Sequence, residues 1–143
     1  MANKYAGAQG SFSAQINSFV EQTKEDLTEL FQNVVIAVGT SVIKISPVDT
    51  GRFRGEWQFT IDTPAQSQNG RIDPTGNDAI ADVVDGALML QIGQTAWLVN
   101  LLPYAIPLEY GHSDQAPNGM VRITIARFQE LVRKEAERIK GGR

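Results

Sequence analysis

The feature that most constrains this chain is a long run of regularly spaced apolar residues that ends at a proline. From Ile16 to Ile45 the apolar side chains recur at gaps dominated by 3, 4 and 7 residues, which places them on one face of an α-helix. Ser46-Pro47 ends the pattern, because proline disfavours helical geometry at the residue before it. We therefore expect a helix over residues 13–45, roughly 45–50 Å long. Such a helix either projects from its core towards a neighbouring subunit or bends across its own sheet, and both alternatives stay open.

The pattern beyond this helix predicts a small sheet. Aromatic and apolar residues at mostly alternate positions predict a strand over residues 54–62. A turn-rich loop over residues 63–77 follows it. One or two further strands are predicted around Trp97, and Pro103 and Pro107 then interrupt regular pairing.

Two further helices complete the predicted fold. The first begins with Asn77 or Asp78 as its N-cap, and the second is an amphipathic helix over residues 118–140. The side chains predicted to face inward on the first are Ile80, Val83, Val84 and Leu88. The prediction is an α+β fold in a single domain, with a flexible arm (1–12), the long N-terminal helix (13–45), a small mostly antiparallel sheet with loops and the short middle helix (46–117), and the C-terminal amphipathic helix.

The composition excludes several kinds of site. The chain of 143 residues contains no cysteine and a single histidine, His112, so it holds no disulfide framework and structural zinc is not expected. No phosphate-binding glycine loop is present, and we expect no metal and no cofactor. No uninterrupted apolar run approaches the roughly 20 residues that cross a bilayer, so no membrane association is expected.

The charges are unevenly distributed along the chain. Residues 1–111 carry 6 Lys and Arg against 12 Asp and Glu, whereas residues 112–143 carry 7 against 4. One interpretation is a nucleic-acid-binding module that uses the basic C-terminal helix, and the other is an ordinary solvated helix face. The residues of the first interpretation are Arg122, Arg127, Arg133, Lys134, Arg138 and Lys140.

Asp49-Thr50-Gly51 is the one triplet that resembles a catalytic motif. Aspartic proteases use Asp-Thr-Gly, but they need two facing carboxyl groups that share a proton. Here the triplet follows a helix-ending proline, and the nearby Arg52 and Arg54 would keep the carboxylate ionised. We interpret the segment as a structural corner, in which Asp49 caps a turn and Gly51 adopts positive φ. A hydrolase built on Asp49 is the alternative from another class, and we expect that the protein is not an enzyme.

Two other groups of polar residues have ordinary explanations. His112 is adjacent to Ser113, but neighbouring side chains point in different directions, so a nucleophile–base pair is not expected. Asp78, Asp82 and Asp85 share a predicted helix face, where a solvated surface is the default and a cation site the alternative.

Two segments and the terminal amphipathic helix together form a recognisable pattern. The segments are SPVDTGRFRGEW (46–57) and LPYAIPLEYGHSDQAPNGM (102–120). In this combination the chain resembles the gp10-like tail-component family of tailed phages. The resemblance covers residues 13–140, and residues 63–90 contribute no motif to it. The matching residues are Pro47, Val48, Asp49, Thr50, Gly51, Arg52, Trp57, Pro103, Tyr104, Ala105, Leu108, Glu109, Tyr110, Gly111, Ala116, Pro117, Gly119 and Met120.

The resemblance implies a structural virion protein, a neck or tail-completion subunit assembled in the host cytoplasm. Such proteins form homo-oligomeric, typically hexameric, rings between the head-completion or connector protein and the tail terminator or tail tube, and DNA passes through the lumen without specific binding. A tail terminator that caps the tube is the alternative within virions. The motif residues would then shape turns and subunit contacts, and with Arg54 and His112 the interface or structural residues are Pro47, Asp49, Thr50, Gly51, Arg52, Arg54, Trp57, Pro103, Tyr104, Glu109, Tyr110, Gly111, His112 and Pro117.

Overall fold

A single helix, α1 (Gln9–Ile45), supports the rest of the chain. The computed structural model describes residues 9–141. At 37 residues α1 is about 55 Å long, and it begins four residues before the predicted start at residue 13. Part of the predicted arm (9–12) is therefore helical, and residues 1–8 lie outside the described residues.

Only the C-terminal half of α1 is packed. Helix α3 (Asn77–Ala87) lies against one side of it, and the C-terminal helix α6 (Phe128–Gly141) lies against another. At Gly39 the approach of α3 is so close that a Cβ atom would stand 2.7 Å from Cγ1 of Val83. Every described residue from Phe12 to Glu25 is exposed, so the N-terminal half of α1 projects beyond the body.

The sheet is smaller than the sequence predicts. Strand β1 (Gln58–Ile61) pairs antiparallel with β2 (Ala96–Val99), with Gln58 opposite Val99. The predicted strand start at residue 54 is wrong, because Arg52–Gly55 forms a short helix, α2. Phe53 and Trp57 are both buried, and their spacing of four residues suits a helical turn as well as it suits alternation.

Helix α3 forms where the sequence predicts it, but its N-cap residue and some of its inward-facing residues differ from the prediction. Gly76 occupies the N-cap position instead of Asn77 or Asp78. Val83 is buried as predicted, and Ile80 and Val84 are partly buried, but Leu88 is exposed. Ala79 and Ala87 are also buried, and their small side chains suit the close contact of α3 with α1.

The predicted C-terminal helix is two helices, not one. A short helix α4 (Ala105–Glu109) precedes it, and α5 (Val121–Ala126) is separated from α6 at Arg127, whose ψ is near 0°. The hydroxyl of Thr124 bonds to the Met120 carbonyl oxygen four residues earlier and to Ser41 Oγ on α1. A bond of this kind back to the previous turn often accompanies a bend in a helix, and Ile125 and Phe128, on either side of the break, are exposed.

The buried core joins the C-terminal part of α1 to the corner segment, to α3 and to the loop before α5. The described chain is mostly helical with one small antiparallel sheet, which confirms the predicted α+β class. The core members are Val42, Ile43, Phe53, Trp57, Ala79, Val83, Leu102, Ala116 and Met120.

By length and composition alone, Phe12–Ile45 also qualifies as a membrane-spanning helix, with a mean hydropathy of 1.2 over its most apolar 18 residues. This differs from the expectation drawn from uninterrupted apolar runs. Core helices of soluble proteins pass the same test, and the C-terminal half of α1 is packed by α3 and α6.

Candidate functional site

The corner segment (residues 46–57) is held to the end of α1 by one arginine. The Arg54 guanidinium donates to the carbonyl oxygens of Ser46 at 2.6 Å, Lys44 at 3.1 Å and Pro74 at 3.0 Å. The last carbonyl groups of a helix have no partner within the helix. A cation at this end also interacts favourably with the negative end of the helix dipole. Burial lowers the pKa of Arg54, and the Asp73 carboxylate acts in the opposite direction. Arg54 therefore caps α1 from outside.

A buried hydroxyl completes the same corner. Ser46 Oγ donates to the Val42 carbonyl oxygen at 2.7 Å and accepts from Trp57 Nε1 at 2.8 Å. Trp57 is thus anchored at both its apolar ring and its polar N–H, as a buried tryptophan requires. Gly51 closes the turn with φ of +95°, and a Cβ there would lie 2.5 Å from the backbone nitrogen of Pro74.

Arg52 binds a carboxylate that no sequence motif singled out. Glu56 is fully buried, and its Oε2 accepts from Arg52 Nη1 at 2.7 Å and from the backbone N–H of Asn69 at 3.1 Å. Buried charges occur in proteins when they are paired and hydrogen-bonded. Arg52 and Arg54 thus both have partners within the chain, which gives them a structural role; their predicted contacts with a neighbouring subunit stay a prediction.

The loop at residues 63–76 is tied to the corner by two further residues that the sequence did not mark. Arg71 donates to the Gly55 and Trp57 carbonyl oxygens and to the Asp82 carboxylate. Asp73 is buried and accepts from the backbone N–H groups of Gly76 at 3.1 Å and Ala79 at 2.9 Å, so it caps α3. The predicted turn cap, Asp49, makes no such bond, and the Thr50 hydroxyl accepts from the Arg52 backbone N–H.

Glu109 organises the second motif. Its carboxylate accepts from the backbone N–H groups of Met120 at 2.9 Å, Val121 at 2.8 Å and Arg122 at 3.0 Å, and from Arg122 Nε at 3.1 Å. Burial acts to raise the pKa of Glu109, but the hydrogen bonds from these groups outweigh it and lower the pKa. The Arg122 guanidinium also lies 4.9 Å from the centre of the Tyr110 ring. Glu109 therefore joins α4 to the start of α5.

The structure brings the two motifs together at one surface groove. Gln115 clamps them, because its side-chain amide both accepts from the Val48 N–H at 2.8 Å and donates to the Val48 carbonyl oxygen at 2.9 Å. The Tyr104 ring lies 6.0 Å from that of Phe53. The groove, of about 590 Å³, is lined by Pro47, Val48, Asp49, Thr50, Arg52, Tyr104, Leu108 and His112 among others.

Several predicted residues stand at the surface around this groove. Asp49, Thr50, Pro103, Tyr104, Tyr110, His112 and Pro117 are exposed. Asp49 forms no hydrogen bond or ion pair with another residue in the described part of the chain, and no facing carboxyl partner for proton sharing lines the groove. Among residues 9–141, no three Asp, Glu or His side chains converge as a metal site would require. Residues of both sequence motifs are therefore exposed along this groove.

No protein-family model, no curated protein and no solved structure matches this chain. The family resemblance therefore depends on the sequence motifs alone.

Proposed function

We propose that this chain is a structural virion protein of a tailed phage, a neck or tail-completion subunit. In this proposal it assembles into a ring, hexameric by the family resemblance, between the head connector and the tail terminator or tail tube. DNA passes through the lumen without specific binding.

The observation that carries the proposal is the way in which the two motifs meet. Two side chains of these segments, Arg54 and Glu109, bind main-chain atoms and hold in place the segments that line the groove. This use fits motifs that serve architecture, as the family resemblance implies, and differs from that of catalytic motifs, whose polar groups face a substrate. Exposed residues at the groove, such as Asp49 and Tyr104, are then available to a neighbouring virion protein.

The unpaired surfaces also favour assembly. A contiguous set of large apolar side chains remains exposed on the projecting half of α1, including Phe12 and Phe19. Exposed apolar patches of this kind mark interaction surfaces.

The nucleic-acid-binding alternative is weakened by ion pairs on the basic helices. Arg122, Arg133 and Arg138 are paired with Glu109, with Glu130 and Glu137, and with Glu135 respectively. Paired arginines have less charge to offer to DNA phosphates. A steep decrease of DNA affinity with salt would favour this alternative over the assembly proposal.

The test is disruption of the gene in the phage that encodes it, with complementation from a plasmid. We expect mutant lysates to contain filled heads and separate tails by electron microscopy, and complementation to restore joined virions. Infectious virions that lack the protein would overturn the proposal. A density map of the complemented virion would also separate the two positions, because a tail terminator lies on the tube and a completion protein lies between it and the connector.

A further inference from the structure

We propose that the projecting half of α1 docks into an apolar groove on a second copy of this chain. The docking element is a ridge formed by Phe12, Ile16, Phe19 and Val20, and the receiving surface is a groove beside the packed half of α1. The inference deepens the proposed function, since it supplies the contact between subunits, and depends on it only for closure into a ring.

The ridge has the spacing of a helix that binds in a groove. Its residues lie at intervals of 4, 3 and 1, the i, i+4, i+7, i+8 pattern of anchors on one helix face. Their side chains are exposed to 54 %, 47 %, 70 % and 41 % in chain order. Because full burial of one phenylalanine removes about 150–250 Å² from water, the two phenylalanines alone expose on the order of 200 Å² or more.

The receiving groove encloses about 410 Å³ and is lined mainly by apolar side chains. Its floor is α1, its walls are β2 and the adjoining strand β1, and the first residue of α6 lies at its edge. The lining includes Phe31, Val35, Val38, Phe59, Trp97 and Phe128. Phe128 is 45 % exposed and Trp97 38 % exposed, so the groove is open to a large apolar partner.

The ridge of one molecule cannot reach the groove of the same molecule. Phe31, which lines the groove, lies 11 residues after Val20 on one continuous helix, so the two stay about 17 Å apart along its axis. The ridge itself is part of the same helix as the groove floor, so only the ridge of another molecule can enter.

The charges around the two surfaces are complementary. Residues 9–29, which carry the ridge, contain four carboxylates and one lysine, a net charge of −3. Residues 121–141, which supply Phe128, contain six basic and three acidic residues, a net charge of +3. Arg127, next to Phe128, forms no ion pair with another residue in the range 9–141. Complementary charge of this kind favours one register of docking and disfavours pairing of ridge with ridge.

The contact is heterologous, because ridge and groove are different surfaces of the same chain. Each copy can therefore give its ridge to one neighbour and receive a ridge from another. Such head-to-tail contacts form closed rings when the rotation between copies closes. The ridge and the groove thus give each copy the two different contacts that a subunit of a ring needs.

The first experiment uses the absence of cysteine from the native chain. Thr23→Cys places a thiol beside the ridge, and Thr95→Cys places one at an exposed position lining the groove. The two purified single variants are mixed and treated with a short bismaleimide. We expect a crosslinked dimer that contains one chain of each kind. The matched control replaces Thr95→Cys by Asp114→Cys. Asp114 is exposed, does not line the receiving groove, and is next to Gln115, which is bound to Val48 beyond the C-terminal end of α1, so this control should yield little crosslinked product.

The second experiment tests the ridge and the groove separately. Phe19→Asp removes the ridge and Phe128→Asp blocks the groove, and each should weaken self-association about tenfold or more in sedimentation velocity, as a lost anchor does. A mixture of the two variants retains one intact ridge and one intact groove, and we expect it to form dimers that do not grow further. Ser18→Asp and Gln129→Asp, at the neighbouring exposed positions, are the matched controls and should assemble like wild type.

Three results would overturn the inference. They are absence of the Thr23–Thr95 crosslink at millimolar protein, crosslinking of Thr23→Cys only to itself, and binding of the ridge to phosphatidylcholine vesicles in place of protein. If the crosslink forms but virions assemble without the protein, the proposed function fails and the contact stands. If virions need the protein but the crosslink is absent, the contact fails and the function stands.

Discussion

Replacement of Glu109 tests how much of the second motif depends on one carboxylate. Glu109→Ala removes the acceptor for three backbone N–H groups at the start of α5 and for the Arg122 side chain. Loss of an N-cap side chain costs about 0.5–2 kcal/mol, and loss of a hydrogen bond to a charged group costs about 1.5–3 kcal/mol. Because these bonds share one carboxylate, their contributions do not add fully. We expect a decrease of about 2–4 kcal/mol in the free energy of unfolding at pH 7.

The pH dependence gives an independent check. The pKa of Glu109 is lowered in the folded chain from its ordinary value of 4.5, so the folded state holds the proton less tightly than the unfolded state. The stabilisation by the ionised carboxylate is therefore complete above about pH 4.5 and is lost as the pH falls through the folded-state pKa. Glu109→Gln, which keeps the shape but does not titrate, should lose stability at pH 7 and approach wild type as the pH falls below 4.5.

The assay is urea unfolding followed by circular dichroism at a series of pH values, for wild type, Glu109→Ala and Glu109→Gln. Glu137→Gln serves as the control, because its pair with Arg133 lies at the surface and surface pairs contribute little. A change of less than about 0.5 kcal/mol for Glu109→Ala at pH 7, or a deficit of Glu109→Gln that does not change with pH, would refute the reasoning.

Three further substitutions test the corner and the close helix contact by the same unfolding assay. Gly51→Ala should cost at least about 2 kcal/mol, because φ is +95° there and the new Cβ would meet backbone, not a movable side chain; a neutral result would contradict the turn geometry. Trp57→Phe should cost about 1–3 kcal/mol, because it removes the N–H that binds Ser46, and a loss no greater than that of an exposed substitution would argue against this bond. Gly39→Ala should destabilise wild type by about 1–2 kcal/mol but should be neutral or stabilising in a Val83→Ala background, since the three atoms nearest to the new methyl group all belong to the Val83 side chain; equal effects in both backgrounds would show that this contact is not limiting.

The long helix α1 could be predicted from the sequence because its apolar period extends over many turns. Short segments whose pattern fits both a helix and a strand could not be assigned in this way. The apolar spacing up to Ile45 and the following proline define α1, because 3.6-residue periodicity over many turns has no competing explanation. The four-residue spacing of Phe53 and Trp57 fits both a helical turn and an interrupted alternation. In the structure Gly51 is the N-cap of a short helix there. The break at Arg127 lies one turn after Thr124, which bonds to Ser41, a residue 83 positions away, and periodicity cannot reveal such a contact.

For the candidate site, the sequence identified the segments but not the partners of their polar groups. Arg52 and Arg54 were predicted as interface or structural residues, but the sequence did not indicate that Arg52 binds the buried Glu56 or that Arg54 binds main-chain carbonyls. Asp73 could have been found from the Asp-Pro-Thr-Gly sequence that it begins, since aspartate before proline is a frequent start of a turn. Which helix that turn would cap was set by tertiary packing.

The bonds of Arg54 have a consequence for how this corner tolerates sequence change. Its guanidinium binds the carbonyl oxygens of Lys44, Ser46 and Pro74, and every amino acid at those positions would present the same oxygen. In a saturation mutagenesis screen scored by protein abundance, we expect position 54 to accept almost no replacement, lysine included, since lysine lacks the planar fork. Position 44, whose side chain is exposed, should accept most residue types. The side-chain requirement of this contact thus lies in Arg54 alone, while Lys44, which offers only its main-chain oxygen, is freer to vary.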